Sequence, residues 1–458
     1  LSADRPKNKI DQSFGQTIRQ ENVFKNHIGF SANLIEDESP NGLRYNERLI
    51  HGAIHTAIQK QIPIHINIPF SEPLYNLEER NTSSTKIIQQ GKFEKIPDSH
   101  QLRDFANHWN TSGKKMILVG EMQKSEDFQD QINHFLEDES VVVLCETTSN
   151  IAHVKAINNI DQAVFSLSDE SFEKMKPEVL LTLGRNIISK KIKSLLEKYP
   201  PRYHANISPD GLLIDTFSSL THHFETSVEL FLSQFSHWVK KNHSSKYQQT
   251  WLRIKKEKRK KHEAFLKHCP YSDLKVFELM INRLPQNIDL HLGNSSIIRY
   301  AQLFEFHQGI EHYGNRGTSG IEGSTSTAIG SAMVSQRQTV VITGDISFFY
   351  DSNALWNHYT PKNFVIILLN NGGGEIFKFI SDFDKTKVSE NYFVTPHSLT
   401  AQHLTKMFDY HYFKANNLVN LSDQLSIVFS QNAPTILEID TQKMNNAEIL
   451  KDYFKALK

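Results

Sequence analysis

Cysteine is nearly missing from this sequence: 458 residues carry only Cys145 and Cys269. Two cysteines cannot build a disulfide scaffold, and a reducing, cytoplasmic setting is expected. Net charge is missing too, because 51 basic residues meet 51 acidic ones. Nucleic-acid binding and membrane-surface attachment need a basic excess, so neither partner is expected. No apolar stretch approaches the roughly 20 residues of a membrane span. The longest runs, such as Phe364 to Leu369, are far shorter, and no signal peptide is visible. The chain has 22 histidines but neither His-Glu-x-x-His nor Cys-x-x-Cys, so scattered surface or core histidines are the plainer reading. Gly120 and Gly184 stand singly, without the Gly-x-Gly-x-x-Gly turn of a dinucleotide site.

What is present is a repeated alternation of short apolar strands and helical stretches. Lys115 to Gly120, Val141 to Cys145 and Val179 to Gly184 read as buried strands. So do Ile288 to Leu292, Thr339 to Thr343, Phe364 to Leu369 and Thr435 to Ile439. The pattern predicts an α/β chain of parallel sheets with helices on both faces. Nearer the N-terminus, a helix is expected over Asn46 to Gln61 and a strand over Ile62 to Pro69. Long helices are expected over Ser227 to His268, with the basic run Lys255 to Lys261 as a solvated face, and a shorter helix near Asn353 to His358. The opening Leu1-Ser2-Ala3-Asp4-Arg5-Pro6 reads like a strand running into a loop, as in a chain that begins inside a domain or is trimmed at a natural boundary. The expected organisation is a first domain over 1–76, a polar linker over 77–112, a central domain over 113–243, a connecting helix over 244–270 and a final domain over 271–458.

The chemistry concentrates at two strand ends. One strand closes on Gly344-Asp345, and the next on Asn370-Asn371-Gly372-Gly373-Gly374. Ligands of open parallel sheets sit outside the carboxyl ends of the strands, and a right-handed crossover would set Asp345 and Asn371 at one rim. A carboxylate, an amide oxygen and a freed backbone carbonyl make a hard oxygen set that suits Mg²⁺ shared with a phosphate. The glycines allow the backbone to approach a diphosphate closely.

This pattern resembles the diphosphate-binding motif of thiamine-diphosphate enzymes, with Ile346 where the general motif has a third glycine. One subgroup shares that departure: the menaquinone-pathway 2-succinyl-5-enolpyruvyl-6-hydroxy-3-cyclohexene-1-carboxylate synthases. The resemblance covers nearly the whole chain. Its anchors are Ala3 to Pro6, Gln16 to Gln20, Ile64 to Tyr75, Gly293 to Ser295, Asn315 to Gly323 and Asn370 to Phe377. It implies a fold of pyrimidine-binding, central and diphosphate-binding domains, the first present in part. It also implies thiamine diphosphate and Mg²⁺, with Mn²⁺ as a substitute, and a homodimer or homotetramer with active sites between subunits. The implied reaction decarboxylates 2-oxoglutarate and adds the succinyl carbanion to isochorismate.

By the same resemblance, Asp345, Asn371 and the carbonyl of Gly373 hold the metal, while Gly344, Ser347 and the glycine turn support the diphosphate. Ile321 is the apolar wedge that keeps the two cofactor rings folded together. Both substrates carry carboxylates, for which arginine is the best-suited partner. Arg299 and Arg316 match substrate-contacting arginines, and Ser295 lies one helical turn before Arg299. Lys190 and Lys191 match a Lys-Arg pair, Arg5 and Gln16 match positions of the pyrimidine-binding domain, and Ile376 and Phe377 match apolar walls near the reacting carbon. The family's cofactor-activating glutamate lies upstream of the anchor that begins here at Ala3. No residue is carried over for that role, Glu21, Glu36 and Glu72 being poor substitutes, and this fragment is expected to be inactive alone. The rival readings are another thiamine-diphosphate 2-oxoacid decarboxylase or carboligase, and a non-catalytic binding subunit of the same fold.

Overall fold

The computed structural model describes residues 1–72, 87–89, 91, 94–379 and 386–458, in two compact units, 1–94 and 95–458. Pro73, Leu74 and Tyr75 of one motif, and much of the expected linker, lie outside the described residues.

In the first unit, β1 (Ser2–Asp4), β2 (Phe30–Asn33) and β3 (Ile64–Pro69) form a parallel sheet in the order β1-β3-β2. The helix Pro40–Lys60 starts earlier than its apolar periodicity predicts. The reason is local: Ser39 caps it by accepting the Gly42 amide at 3.2 Å, and Pro40 fits the first turn, where no amide hydrogen is needed. Ala53 of that helix meets Ala32 and Ile66 of the sheet in a small core.

The second unit holds two sheets. The first contains β4 (Lys115–Val119), β5 (Val141–Cys145), β6 (Val179–Leu183), β7 (Tyr203–Ile207) and β8 (His222–Phe224), all parallel, in the order β5-β4-β6-β7-β8. Phe105, Trp109, Phe128 and Phe235 cover one face, and Phe172, Leu196 and Trp251 the other. The second contains β9 (Ile288–Leu292), β10 (Glu311–Gly314), β11 (Gln338–Gly344), β12 (Val365–Asn370), β13 (His411–Ala415) and β14 (Thr435–Asp440). Its order is β10-β9-β11-β12-β14-β13, again all parallel. β12 is uninterruptedly apolar because it is buried on both faces: Ile367 faces one cluster and Ile366 the other. Each such side chain contributes about 1.5–3 kcal/mol by leaving water.

Ser227 to His268 holds helices as expected, Val228–Ser236 and Tyr247–His268, the first of them short, and two other local expectations are revised. Between them Asn242 folds back on Ser244, a side-chain bond that competes with helix. The basic run is only partly solvated, since Lys258 is buried with its ammonium on the Leu457 carbonyl and Lys255 donates to the carbonyl of Ala156. Near Asn353 there is only a short 3-10 turn, Ser352–Leu355, because Asn357 binds the Ala354 carbonyl and the Tyr359 and Thr360 amides; the helix lies earlier, over Asp345–Tyr350. Among the described residues no helix is long and apolar enough to cross a membrane. Cys145 and Cys269 are both free and buried.

Candidate active site

All strands of a parallel sheet end on one edge, and β9, β11 and β12 lie side by side in this one. Gly344 is paired with Leu369, so Asp345 and Asn371 emerge from adjacent strand ends. Asp345 is buried, and its carboxylate is oriented by backbone amides. Ile346 donates to Oδ1 at 2.7 Å, while Gly372 and Gly373 donate to Oδ2 at 2.7 and 3.0 Å. The turn can wrap the carboxylate this way because Gly372 and Gly373 adopt φ of +83° and +146°. A methyl group on Gly373 would stand 2.5 Å from the Val394 carbonyl oxygen.

Asn371 donates its amide to Asp273 Oδ2 at 2.8 Å, and its buried Oδ1 has no hydrogen-bond partner. A buried amide oxygen left bare costs roughly 1–3 kcal/mol unless something occupies it. Beside Asp345, with the second lone pair of the Gly373 carbonyl, it completes a set of hard oxygens, which is what Mg²⁺ takes. The residues present therefore fit the metal that the motif implies. Asp273 is itself buried and accepts from Thr441 at 2.6 Å; desolvation pushes its pKa up to about 7. His397 also faces this turn. Its Nδ1 accepts the Leu399 amide, so the neutral ring carries its proton on Nε2, which lies 3.3 Å from Asp345 Oδ2 without a hydrogen bond.

Asn294 ties the loops around the turn together. It donates to the Asn315 and Gly320 carbonyls at 2.7 and 2.6 Å and accepts from Arg316 at 2.6 Å. Ser347 donates to the Ile321 carbonyl, which fastens the half-buried Ile321 to the end of β11. Ser295 precedes its helix, Ser296–Ala301, with φ +65° and ψ −123°, a strained placement for a residue with a Cβ. Ile376 and Phe377 follow the glycine turn on the short helix Glu375–Phe379, half-buried, with the Phe377 ring edge-on to Phe393.

Arg299 and Arg316 are partly buried, and each has an Nε with no partner. Lys190 opens the helix Lys190–Lys198 and is exposed, whereas Lys193, one turn on, is half-buried. Burial pulls the Lys193 pKa down, and Arg316, Glu146, Lys190 and Arg299 all act on it. Lys190, Arg299 and Arg316 thus all act electrostatically on Lys193. Arg5 and Gln16 lie in the first unit, where they bond each other at 2.7 Å, and Arg5 also pairs with Glu72 at 2.7 Å.

Comparison with known proteins decides what this edge belongs to. Residues 292–439 match the thiamine pyrophosphate enzyme C-terminal TPP binding domain. The chain is 45% identical over 457 residues to the 2-succinyl-5-enolpyruvyl-6-hydroxy-3-cyclohexene-1-carboxylate synthase of Flavobacterium psychrophilum, covering all of this chain and 82% of that protein. It is 46% identical over 462 residues to the synthase of Flavobacterium johnsoniae, with the same coverage. The chain belongs to this synthase family. The synthases are thiamine-diphosphate- and Mg²⁺-dependent transferases of menaquinone biosynthesis, and the α/β fold of parallel sheets expected from the sequence is the fold observed. A more distant synthase, from Bacteroides thetaiotaomicron, is 34% identical over 467 residues, covering all of this chain and 82% of that protein.

Sequence reasoning missed Asp273, His397, Glu146 and Lys193. Asp273 looks like any acidic residue in a first helical turn, and Glu146 like a residue after a strand. Lys193 left a trace, since it lies three residues after Lys190 on one helical face.

Proposed function

We propose that this chain is part of a protein that carries out the synthase reaction of its family: decarboxylation of 2-oxoglutarate and transfer of the succinyl fragment to isochorismate, in the cytoplasm, as a homodimer or homotetramer. The observation that carries the reading is the unpartnered Oδ1 of Asn371 beside Asp345, inside the matched cofactor domain. Asp345, Asn371 and the Gly373 carbonyl hold Mg²⁺, for which Mn²⁺ can substitute. Gly344, Ser347 and the glycine turn receive the diphosphate, and Ile321 supports the folded cofactor. Bound there, thiamine diphosphate supplies the electron sink that decarboxylation of a 2-oxoacid requires.

The chain's own residues do the rest. Arg299, Arg316 and Lys190 of the second unit receive the substrate carboxylates. Arg5 and Gln16 of the first unit are carried over by the family match as substrate-contacting positions of the pyrimidine-binding domain. Partial burial strengthens the contacts of Arg299 and Arg316, because an ion pair in a drier site is less screened. Ser295 supplies a hydroxyl at the same helix start. Ile376 and Phe377 keep water from the reacting carbon. The same reading divides the chain into part of a pyrimidine-binding domain (1–76), linker (77–112), central domain (113–243), connecting helix (244–270) and diphosphate-binding domain (271–458). The chain spans 82% of the length of its nearer relatives, and the cofactor-activating glutamate is assigned to none of its residues.

The test is a pair of measurements on the full protein and on Asn371→Ala. The wild type should show a melting temperature raised by thiamine diphosphate with Mg²⁺, and should consume isochorismate only with 2-oxoglutarate present. The variant should lose the cofactor-dependent rise while keeping its cofactor-free melting temperature. An equal rise in the variant would refute the metal assignment, and isochorismate-independent consumption of 2-oxoglutarate at full rate would refute the second substrate.

A further inference from the structure

At the outer edge of the five-stranded sheet, apart from the strand-end site, three metal-ligating side chains converge. Asp104 and His108 share one face of the helix Ser99–Thr111, and His222 begins the edge strand β8. One carboxylate oxygen and one nitrogen from each ring lie within 4.8 Å of one another. Asp104 Oδ2 is 3.2 Å from His222 Nε2 and 3.8 Å from His108 Nε2. Tetrahedral zinc with bonds of about 2.0–2.1 Å sets its ligand atoms about 3.3 Å apart. The 3.2 Å contact already matches that spacing, and shifts of about half an ångström would bring His108 to it.

The Thr221 hydroxyl lies 3.0 Å from the His204 carbonyl and 2.8 Å from His222 Nδ1, and it accepts the His204 amide at 3.0 Å. A hydroxyl that accepts from Nδ1–H leaves the ring lone pair on Nε2, the tautomer that a metal ion takes, whereas one that donates to Nδ1 leaves Nε2–H to bond Asp104 at 3.2 Å. The same contacts accommodate either a proton or a metal ion between Nε2 and the carboxylate. His108 supplies the third ligand, and its ring is held by stacking on Tyr203 at 3.6 Å between centroids. The His222 ring is held against Phe105 at 5.2 Å.

We propose that Asp104, His108 and His222 form a binding site for one divalent transition metal of the zinc type, with solvent completing its coordination. Two imidazoles and a carboxylate favour zinc or its neighbours over Mg²⁺. The ion clips β8, a three-residue edge strand, to the helix that covers the same sheet. A bound metal there adds a tie to an edge strand already paired with β7 and packed through Phe224 on Phe105 and Phe231.

The probe is Co²⁺, added to chelator-treated full protein with excess Mg²⁺ present to fill the hard-oxygen site. One equivalent should develop visible absorption of a four- or five-coordinate ion, which Zn²⁺ bleaches, and Zn²⁺ should raise the melting temperature. His108→Phe keeps a ring on Tyr203 but removes a ligand, and should weaken Co²⁺ binding at least tenfold, on the order of the 10- to 100-fold that even a lost outer-shell partner costs. Asp104→Asn should weaken it as well, while both variants keep the wild-type melting temperature without metal. Wild-type Co²⁺ affinity in both variants would overturn the proposal. So would a wild type that shows no such absorption and gains stability only on acidification, which would make the bridging cation a proton.

Discussion

Replacing Glu146 by Gln should remove a pH dependence that this one buried carboxyl imposes. Glu146 is 1% exposed; its Oε1 accepts the Ile188 and Ser189 amides at 2.9 and 3.0 Å, and its Oε2 has no partner. Desolvation outweighs the pull of Arg316 and pushes its pKa up to about 8, from 4.5 when free. The folded state therefore holds the proton more tightly than the unfolded one. The stability tied to this proton is fully present below about pH 4.5 and is lost as pH rises toward 8. Within that window the slope is about 1.4 kcal/mol per pH unit, so on the order of 3 kcal/mol separates pH 5 from pH 7. Glutamine keeps the Oε1 acceptor and cannot ionise. Urea unfolding, read by the fluorescence of the buried Trp109 and Trp251, should show Glu146→Gln gaining on the wild type as pH climbs. The difference between the two proteins cancels the titrating groups that do not interact with Glu146. A difference that stays flat between pH 5 and 8, or one that favours the wild type with rising pH, would refute the reasoning. A kinetic counterpart follows, because ionised Glu146 would compete with substrate carboxylates for Arg299 and Arg316. KM for the anionic substrates should rise above pH 8 in the wild type but not in Glu146→Gln.

Three further outcomes are expected. Gly373→Ala would force a methyl group to within 2.5 Å of the Val394 carbonyl at φ +146°, and should abolish the cofactor-dependent rise in melting temperature. Asp273→Ala frees the Asn371 amide to turn, and should weaken Mg²⁺-dependent cofactor binding roughly 10- to 100-fold in a calorimetric titration; unchanged affinity would mean that the backbone alone orients Asn371. Ile367→Asp places a charge in the middle of the fully buried β12, and should destabilise the second unit by more than about 4 kcal/mol, seen as loss of soluble folded protein.

Much of this strand-end edge was legible in the sequence. Gly344-Asp345 and Asn371 to Gly374 are short-range signals: an apolar run fixes the strand, and Gly372 and Gly373 mark where the backbone bends at positive φ. The parallel sheets were legible for a related reason, since strands buried on both faces become unbroken runs of Val, Ile and Leu, as in β12. Helix ends were less so, because caps and side-chain bonds such as those of Ser39, Asn242 and Asn357 outweigh periodicity over a few residues.

What the linear order concealed is the set of partners that give these motifs their properties. Asp273 reaches Asn371 across 98 positions, and no spacing rule predicts that bond. Glu146 follows β5 and Lys193 lies on the helix Lys190–Lys198, whereas Arg299 lies on the helix Ser296–Ala301 and Arg316 in the loop after β10; packing brings their charges together. His222 lies 118 positions from Asp104, and which of its ring nitrogens carries the proton depends on which way Thr221 donates. Residue identity and local pattern determined where strands end and which chemical groups stand there. Burial, orientation and charge neighbours were decided only by folding, because desolvation and hydrogen-bond geometry act between residues the chain keeps far apart.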